Sequence, residues 1–249
     1  MGQLAIRSRA SSPALKRAAL AVEHAAWNEL SYLNYTRPHF HYYDDLLEEY
    51  AEYQLCLVDT DLDYPVAVGC CVPLYYDGSE LPDEGWDWVV ETAAMTRGQT
   101  PNALGALAIS VPRLHRGKGY ARQMIRAMKD LARAKSLDRL IAPVRPTAKA
   151  DHPDIPIETY IGWRDERGRY YDPWLRSHTS EGGRVVKACG RSMVVEEPLS
   201  FWEMWAGRKL DASGSIQLKG ALVPVSIDVD RRIGRYEEPN VWVSYSLAA

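Results

Sequence analysis

The sequence lacks several features that would assign a protein to a class at once. Only four of its 249 residues are cysteine, two of them adjacent, and no CxxC pair occurs. This excludes a disulfide scaffold and indicates reduced, buried thiols. No run of apolar residues approaches the length of a membrane-spanning helix, and the first residues do not form a signal peptide. We therefore expect a cytoplasmic protein with no membrane partner.

Histidine is also scarce, with six in the chain. Three of them, His24, His39 and His41, lie near one another in sequence but lack carboxylate or cysteine partners at metal-ligand spacing. We expect no metal site there. The aromatic stretch that contains His39 and His41 is interpreted as the wall of a pocket or as core packing.

The net charge of −3 excludes little, but its distribution is uneven. Residues 1–103 hold six lysines and arginines against sixteen aspartates and glutamates, whereas residues 104–149 hold eleven against two. A basic island in an acidic body indicates a polyphosphate ligand, because nucleic acid needs a wider basic surface. We expect no nucleic-acid partner.

The basic island reads as a strand, a loop, a helix and a second strand. Leu104–Val111 is an apolar run of strand length, an amphipathic helix follows the loop, and Leu140–Val144 is a second apolar run. In the loop, Gly117 and Gly119 can adopt positive φ and leave backbone N–H groups open at the start of the helix. A diphosphate fits such a loop.

Two common phosphate motifs do not match this loop. The P-loop pattern GxxxxGK[ST] is absent, and the dinucleotide pattern lacks its third glycine because Arg122 stands in that place. The loop does match the (Arg/Gln)-x-x-Gly-x-(Gly/Ala) signature of the GNAT acyltransferase superfamily, as Arg116, Gly119 and Ala121. With a strand before it and a helix after it, the sequence resembles a GNAT N-acetyltransferase over about residues 13–196.

The resemblance implies an α/β (α+β) fold with a mixed, mostly antiparallel central sheet flanked by helices. We divide the chain into a GNAT-like domain, residues 1–197, and a β-rich C-terminal extension, residues 198–249, packed on the same domain. Insertions are expected at 77–102, which contains a short predicted helix, and at 145–171. Residues 184–189 and 192–196 are predicted to be two paired strands.

The resemblance also implies a reaction, the direct transfer of an acetyl group from acetyl-CoA to an amine of a small molecule. The pantetheine arm of acetyl-CoA would pair with the end of the strand predicted at Leu104–Val111, and its diphosphate would lie on the glycine loop that follows. The residues expected to bind acetyl-CoA are Ile109, Ser110, Val111, Arg116, Gly117, Lys118, Gly119, Tyr120, Ala121 and Arg122. Two alternatives stay open: a non-catalytic acyl-CoA-binding protein, and a GNAT-like acyl-thioester hydrolase or decarboxylase.

The general base expected from the family is missing from its usual place. In the family, a carboxylate in the strand that corresponds to Leu104–Val111 often has this role. Here Ala106, Ala108 and Ser110 occupy alternate positions of that strand, and none has a carboxylate. We expect Glu91 or Asp87, on the predicted inserted helix, to act as the base.

The general acid is predicted to be His178. In the closing pattern of the family, a tyrosine five residues before the final aromatic residue commonly protonates the leaving thiolate. Setting Gly182-Gly183 on the Gly-Phe pair of that pattern places His178 at the tyrosine position. An imidazolium with its ordinary pKa of about 6.5 suits this role, the alternative being a helix histidine that does no chemistry. Tyr160 and Tyr171 are reserve acids.

The acceptor is expected on the side opposite acetyl-CoA, near the early helices. Because this part of the chain is acidic, we expect a small amine as the acceptor. Aromatic residues are predicted to shape its pocket: Tyr32, Tyr35 and Trp86.

Overall fold

The computed structural model describes residues 3–247 of the chain. A 3₁₀ segment (Asn28–Tyr35) and a π-helical turn (His39–Tyr43) lie between the first two helices. The strands and helices in chain order are β1 (Leu4–Ser8), α1 (Pro13–Trp27), α2 (Asp44–Glu49), β2 (Leu55–Asp59), β3 (Tyr64–Leu74), α3 (Gly85–Met95), β4 (Ala103–Ser110), α4 (Tyr120–Ala134), β5 (Arg139–Val144), α5 (Ile157–Tyr160), α6 (Pro173–Ser180), β6 (Arg184–Pro198), α7 (Leu199–Ala206), β7 (Gly214–Ile216), β8 (Val225–Asp228) and β9 (Ile233–Ser246).

Local sequence explains where two of the helices begin. The hydroxyl of Ser12 accepts a hydrogen bond from the backbone N–H of Leu15 at 3.1 Å, and a proline follows Ser12 at the first helical position of α1. The carboxylate of Asp172 caps α6 in the same way, accepting from the backbone N–H of Trp174 at 2.8 Å. Each cap satisfies a backbone donor that has no partner inside the helix.

The strands described within residues 3–247 form one nine-stranded sheet. Its order is β1-β2-β3-β4-β5-β9-β8-β7, with β6 paired to β9. The β4–β5 pair is parallel and the other pairs are antiparallel. The predicted mixed, mostly antiparallel sheet flanked by helices is therefore confirmed.

The C-terminal segment contributes a strand to the interior of this sheet. β9 pairs with β5 from Val144↔Val241 to Arg139↔Ser246, and its other edge pairs with β6. Expected only as an extension packed on the domain, the segment thus provides the direct neighbour of β5. The division of the chain at residue 197 stays a prediction, and β6 runs across that position without a break.

The prediction of two paired strands at 184–196 is wrong. This segment is the single strand β6, and it pairs with β9 on both sides of a short irregularity. The Gly190-Arg191 pair resembles a turn in the sequence, but in the structure the strand register shifts between Cys189 and Met193. Part of the irregularity is held from outside the strand, because the backbone N–H of Arg191 donates to the carbonyl of Asp83 at 3.1 Å.

Helices cover both faces of the sheet. On one face α1 and α3 pack on the central strands, with the side chains of Val22, Val89 and Val90 buried against them. On the other face α4 buries Met124 and Met128. None of the helices within residues 3–247 is both long enough and apolar enough to cross a membrane.

The two insertions have different structures. The first, 77–102, contains the predicted short helix, α3. The second, 145–171, contains a single turn of helix, α5, and a cluster of aromatic rings in which Tyr160 packs against Trp163 and Tyr171.

β4 and β5 separate soon after they meet. Their parallel pairing comprises three residue pairs, from Ala103↔Arg139 to Gly105↔Ile141, although both strands continue. A register shift opposite Cys70 and Cys71 leaves Leu107 as an extra residue in β4. The wedge-shaped gap between the diverging strands, called the splay below, crosses the sheet.

Gly105 is the last residue of β4 that pairs with β5. We predict that a glycine is required at this position for α3 to pack at the start of the splay. A Cβ atom there would collide with Val89 of α3 and approach Leu74 Cδ2 at 3.1 Å. Gly105→Ala should therefore lower the free energy of unfolding by about 1–3 kcal/mol in urea denaturation. The matched control is Gly190→Ala, where a Cβ meets no atom within 4 Å. Equal stability of the two variants would contradict this packing.

Candidate active site

A cavity of 490 Å³ occupies the splay, and its lining includes residues from both faces of the sheet. Its walls come from β4, β5, β6, β9, α1, α2, α3 and α6 and from the segments that join them. The lining residues are Leu20, Glu23, His24, Trp27, Leu30, Leu33, Asn34, His39, Tyr43, Asp44, Trp86, Ala106, Leu107, Ala108, Ile109, Ala142, Pro143, Val144, Arg145, Thr147, Trp174, His178, Met193, Glu238 and Asn240.

One edge of β4 faces this cavity without a strand neighbour. Beyond Gly105, β4 keeps its pairing with β3 up to Ser110 but has no register with β5. Backbone groups on that edge are available to a ligand that lies in the splay. The side chain of Ser110 is buried and accepts a hydrogen bond from the indole N–H of Trp27 at 2.8 Å, which fixes the end of α1 beside β4.

Aromatic rings form the wall on the α1–α3 face. The ring of His39 stacks on Tyr43 with the centroids 4.5 Å apart, and on Trp86 at 5.8 Å. The indole N–H of Trp86 donates to the carbonyl of Leu107, the extra residue of β4, at 3.0 Å. This wall is therefore fixed directly to the irregularity in β4.

Three carboxylates line the cavity, and two of them are neutralised by arginine. Glu238 is fully buried and accepts two hydrogen bonds from Arg145, at 2.7 and 3.0 Å. Glu23 forms an ion pair with the buried Arg9. Asp44 is exposed at the first residue of α2 and has no salt-bridge partner among residues 3–247.

His178 lines the opposite end of the cavity, on the α4–α6 face. Its Nδ1 lies 2.8 Å from the hydroxyl of Tyr245, which also donates to the carbonyl of His178 at 3.2 Å. Burial lowers the pKa of His178 to about 3. The ring is therefore neutral near pH 7, so the predicted imidazolium acid is not the form that this site favours.

The other residues predicted for acid–base chemistry lie outside the cavity lining. Glu91 is exposed on α3. Asp87 is buried on the same helix, accepts from the backbone N–H of Val194 at 3.0 Å, and has a pKa raised to about 7 by burial. Tyr160, in the second insertion, is buried and donates to Asp172 at 3.2 Å. The reserve acid Tyr171 packs in the same aromatic cluster.

Of the three aromatic residues predicted for the acceptor pocket, Trp86 lines the cavity. Tyr32 is buried among Trp202, Trp205 and Tyr236, whereas the exposed Tyr35 packs on a phenylalanine of α7. The sequence prediction did not select His39 or Asp44, which do line the cavity. The aromatic stretch between α1 and α2 was the signal for them, since it was interpreted as a possible pocket wall.

The predicted phosphate loop lies before α4 at the end of β4. Gly117 and Gly119 have φ of 76° and 79°, and Gly119 is the N-cap of α4 with no side-chain hydrogen bond to the first turn. A Cβ atom at Gly117 would meet nothing within 4 Å, so the space beside the loop is open. The first backbone N–H groups of a 15-residue helix therefore face an open space.

The loop also carries cations. The side chains of Arg116, Lys118 and Arg122 are exposed and make no salt bridge with any residue between 3 and 247. Arg126, one turn further along α4, is held by Glu181 through two hydrogen bonds of 2.6 and 2.7 Å. The free positive charge is thus concentrated at the start of the helix.

These features are those of the GNAT fold, and comparison with known proteins agrees. The chain matches the Acetyltransferase (GNAT) family over residues 24–153. It is 36% identical over 224 residues to the arginine N-acetyltransferase avaD of Aspergillus versicolor, an alignment that covers 80% of this chain and 77% of that protein. The chain therefore belongs to the GNAT family.

Two solved structures share the fold over nearly the whole chain. The loading GNATL domain of CurA from Lyngbya majuscula has a TM-score of 0.62, covering 98% of each chain, and the GphF GNAT-like decarboxylase with isobutyryl-CoA has a TM-score of 0.60, covering 98% of this chain and 99% of that one. Both are 14% identical in sequence, so the likeness shows the fold alone.

Family membership and the avaD relative define the activity. The protein is a GNAT-type N-acetyltransferase that transfers an acetyl group from acetyl-CoA to an amine, as the loop signature predicted.

We predict that His178 stays neutral well below pH 6.5. Since burial depresses its pKa in the folded state, protonation in the unfolded chain should remove stability as the pH falls from about 6.5 toward 3. Nitrogen chemical shifts of its imidazole, assigned with His178→Asn, should show no titration between pH 8 and 5. A midpoint near 6.5 would restore the imidazolium acid.

Proposed function

We propose that the protein acetylates arginine, or a small molecule with an arginine-like cationic group. The observation that carries this proposal is the unpaired carboxylate of Asp44 at the mouth of an aromatic-lined cavity that reaches β4. A relative named as an arginine N-acetyltransferase supports the same class of acceptor. Carboxylates bind guanidinium and ammonium groups through charge-assisted hydrogen bonds.

On the donor side, we propose that the start of α4 binds the diphosphate of acetyl-CoA. The residues are those predicted from the signature, Arg116 to Arg122, with Arg116, Lys118 and Arg122 supplying charge. The pantetheine arm would then follow the open edge of β4 at Ile109, Ser110 and Val111. The open space at Gly117 and the uncapped first turn of α4 support this placement.

On the acceptor side, the α1–α3 face is suited to a flat cation. The rings of His39, Tyr43 and Trp86 provide planar surfaces, and aromatic faces attract cations. Glu23 and Glu238 contribute little net charge because each is already paired with an arginine. Asp44 is thus the acidic group available to a second substrate.

The cavity organises a direct transfer from donor to acceptor. Bound acetyl-CoA supplies an acyl thioester whose carbonyl carbon accepts the amine. The cavity is lined by residues from both faces of the sheet, and in this proposal donor and acceptor enter it from different sides. Holding both in one enclosed space replaces a bimolecular encounter by an oriented one, which accounts for much of the rate that such enzymes achieve.

The reaction is tested by incubating the protein with acetyl-CoA and a panel of amines while free thiol is followed. Arginine should accelerate thiol release and yield an acetylated product of the expected mass. Uncharged amines of similar size should react more slowly. Thiol release that needs no amine would indicate thioester hydrolysis, and transfer restricted to uncharged amines would contradict the proposed acceptor.

We expect Arg122→Glu to weaken the binding of acetyl-CoA by at least about tenfold, because it replaces an attractive charge at the phosphate site by a repulsive one. The dissociation constant is measured by calorimetry. Arg133→Glu, at the far end of the same helix, is the control and should bind like the parent. Equal weakening by both variants would indicate a general charge effect and no specific site.

We expect Asp44→Asn to raise KM for arginine about tenfold, since the variant keeps the shape of the side chain but loses its charge. Steady-state kinetics at saturating acetyl-CoA provide the measurement. The control is Asp45→Asn, the adjacent exposed carboxylate that does not line the cavity. If both variants keep the KM of the parent, another group recognises the cation.

A further inference from the structure

The cavity contains an imidazole that is held in place chiefly by contacts with other aromatic rings. The ring of His39 packs against Tyr43 and Trp86 at interplanar angles of 23° and 17°, and these two rings also contact each other with centroids 5.4 Å apart, so the three rings form a triangular cluster. Its backbone N–H donates to the hydroxyl of Thr36 at 3.3 Å. Within residues 3–247, neither ring nitrogen of His39 is hydrogen-bonded to another residue. The ring contacts therefore hold the imidazole, and its hydrogen bond to its own backbone carbonyl leaves the other ring nitrogen for a ligand.

This imidazole is close to the part of β4 where a thioester would lie. Trp86, which stacks on His39, donates its indole N–H to the carbonyl of Leu107. Leu107 is the extra residue of β4 and lies on the edge that has lost its β5 partner. Two direct contacts thus connect His39 to the open edge of β4.

Three other titratable groups of the cavity are held by partners and are less suited to accept a proton there. Glu23 and Glu238 are committed to Arg9 and Arg145. His178 lies on the opposite face, and its Nδ1 is engaged by a tyrosine hydroxyl. The β4 positions at which the family often has a carboxylate are occupied by Ala106, Ala108 and Ser110, none of which is a base.

We propose that His39 is the general base that removes the proton from the attacking nitrogen of the acceptor. The proposal rests on the proposed function of the cavity as an acetyl-transfer site. The acceptor enters as a neutral amine, and its nitrogen forms a bond to the thioester carbonyl carbon. The C–S bond breaks with its electron pair remaining on sulfur. The proton of the nitrogen passes to His39, which returns it to solvent, and the thiolate takes a proton from solvent.

The surroundings of His39 keep it in the form that this role requires. Burial lowers its pKa below the ordinary value, and the nearby carboxylate of Asp44 opposes part of that effect. The neighbouring Tyr43 and Trp86 are uncharged, and Asp87 of α3, whose pKa is raised to about 7 by burial, is linked to His39 through the hydroxyl of Thr36. Glu23, paired with Arg9, and His24 face the same cavity from α1. The imidazole is therefore neutral near pH 7 and available as a base.

The decisive variant is His39→Phe, which keeps an aromatic ring in the cluster with Tyr43 and Trp86 but has no ring nitrogen. At pH 7 its kcat/KM for the acceptor should fall about 100-fold or more, with an unchanged Kd for acetyl-CoA. The parent should lose kcat/KM as the pH falls below the pKa of His39, and this acid limb should be absent from the variant. His41→Phe, an exposed neighbour outside the cavity lining, should behave like the parent.

A second variant separates chemistry from packing. Added imidazole should restore activity to His39→Ala, since it can occupy the vacated space and accept the proton, and should leave His39→Phe unchanged. The inference is overturned if His39→Phe keeps the rate and pH profile of the parent, if imidazole restores nothing, or if the acid limb disappears in His24→Gln instead. In each of these cases, the proposed function would still hold if the parent acetylates an amine. If the parent acetylates no amine, both the proposed function and the role of His39 are contradicted.

Discussion

The separation of β4 from β5 is the feature on which the rest of the site depends. A strand that is paired on both sides has no free backbone N–H or C=O groups, and such groups are rarely left without partners when they are buried. Here the pairing ends at Gly105↔Ile141, and the register shift at Leu107 turns the strand further. The gap that results is wide enough for a substrate, and the loop before α4 lies at its end. The glycine loop, the open edge of β4 and the cavity therefore all depend on the separation of β4 from β5.

Burial then decides which charged groups in the gap can do chemistry. Removing a carboxylate from water costs several kcal/mol unless a partner compensates. Glu238 has this compensation from Arg145, which also donates to the carbonyl of Gly220 at 2.7 Å. The same physical effect lowers the pKa of His178 to about 3. The cavity therefore combines paired charges and the neutral imidazole of His178 with one exposed carboxylate, Asp44, an arrangement that favours a cationic partner.

The C-terminal segment has a larger part in this site than an appended extension would. β9 places Glu238 and Asn240 in the cavity lining, and it also buries Trp242 against the core of the α3 face. The amide N–H of Asn240 donates to Ser192 at 2.8 Å, whose hydroxyl also accepts from the backbone N–H of Trp86 at 2.8 Å. The wall that holds His39 is thereby connected to the last strand of the chain.

The sequence by itself determined the basic glycine loop and the elements on either side of it. The signature at Arg116, Gly119 and Ala121, with the apolar run before it and an amphipathic helix after it, predicted the family and the fold, because these are patterns of neighbouring residues. It also predicted α3, and it indicated a possible pocket wall in the aromatic stretch that contains His39.

Tertiary structure decided the remainder. That β9 lies beside β5, that β6 is one strand, and that Glu91 and Tyr160 lie outside the cavity all depend on pairings between residues far apart in the chain. The protonation of His178 and the availability of Asp44 depend on burial and on charge partners, which sequence spacing does not specify. Sequence therefore determined the basic glycine loop at the start of α4, and only the packed structure decided which side chains line the cavity and in which charge state.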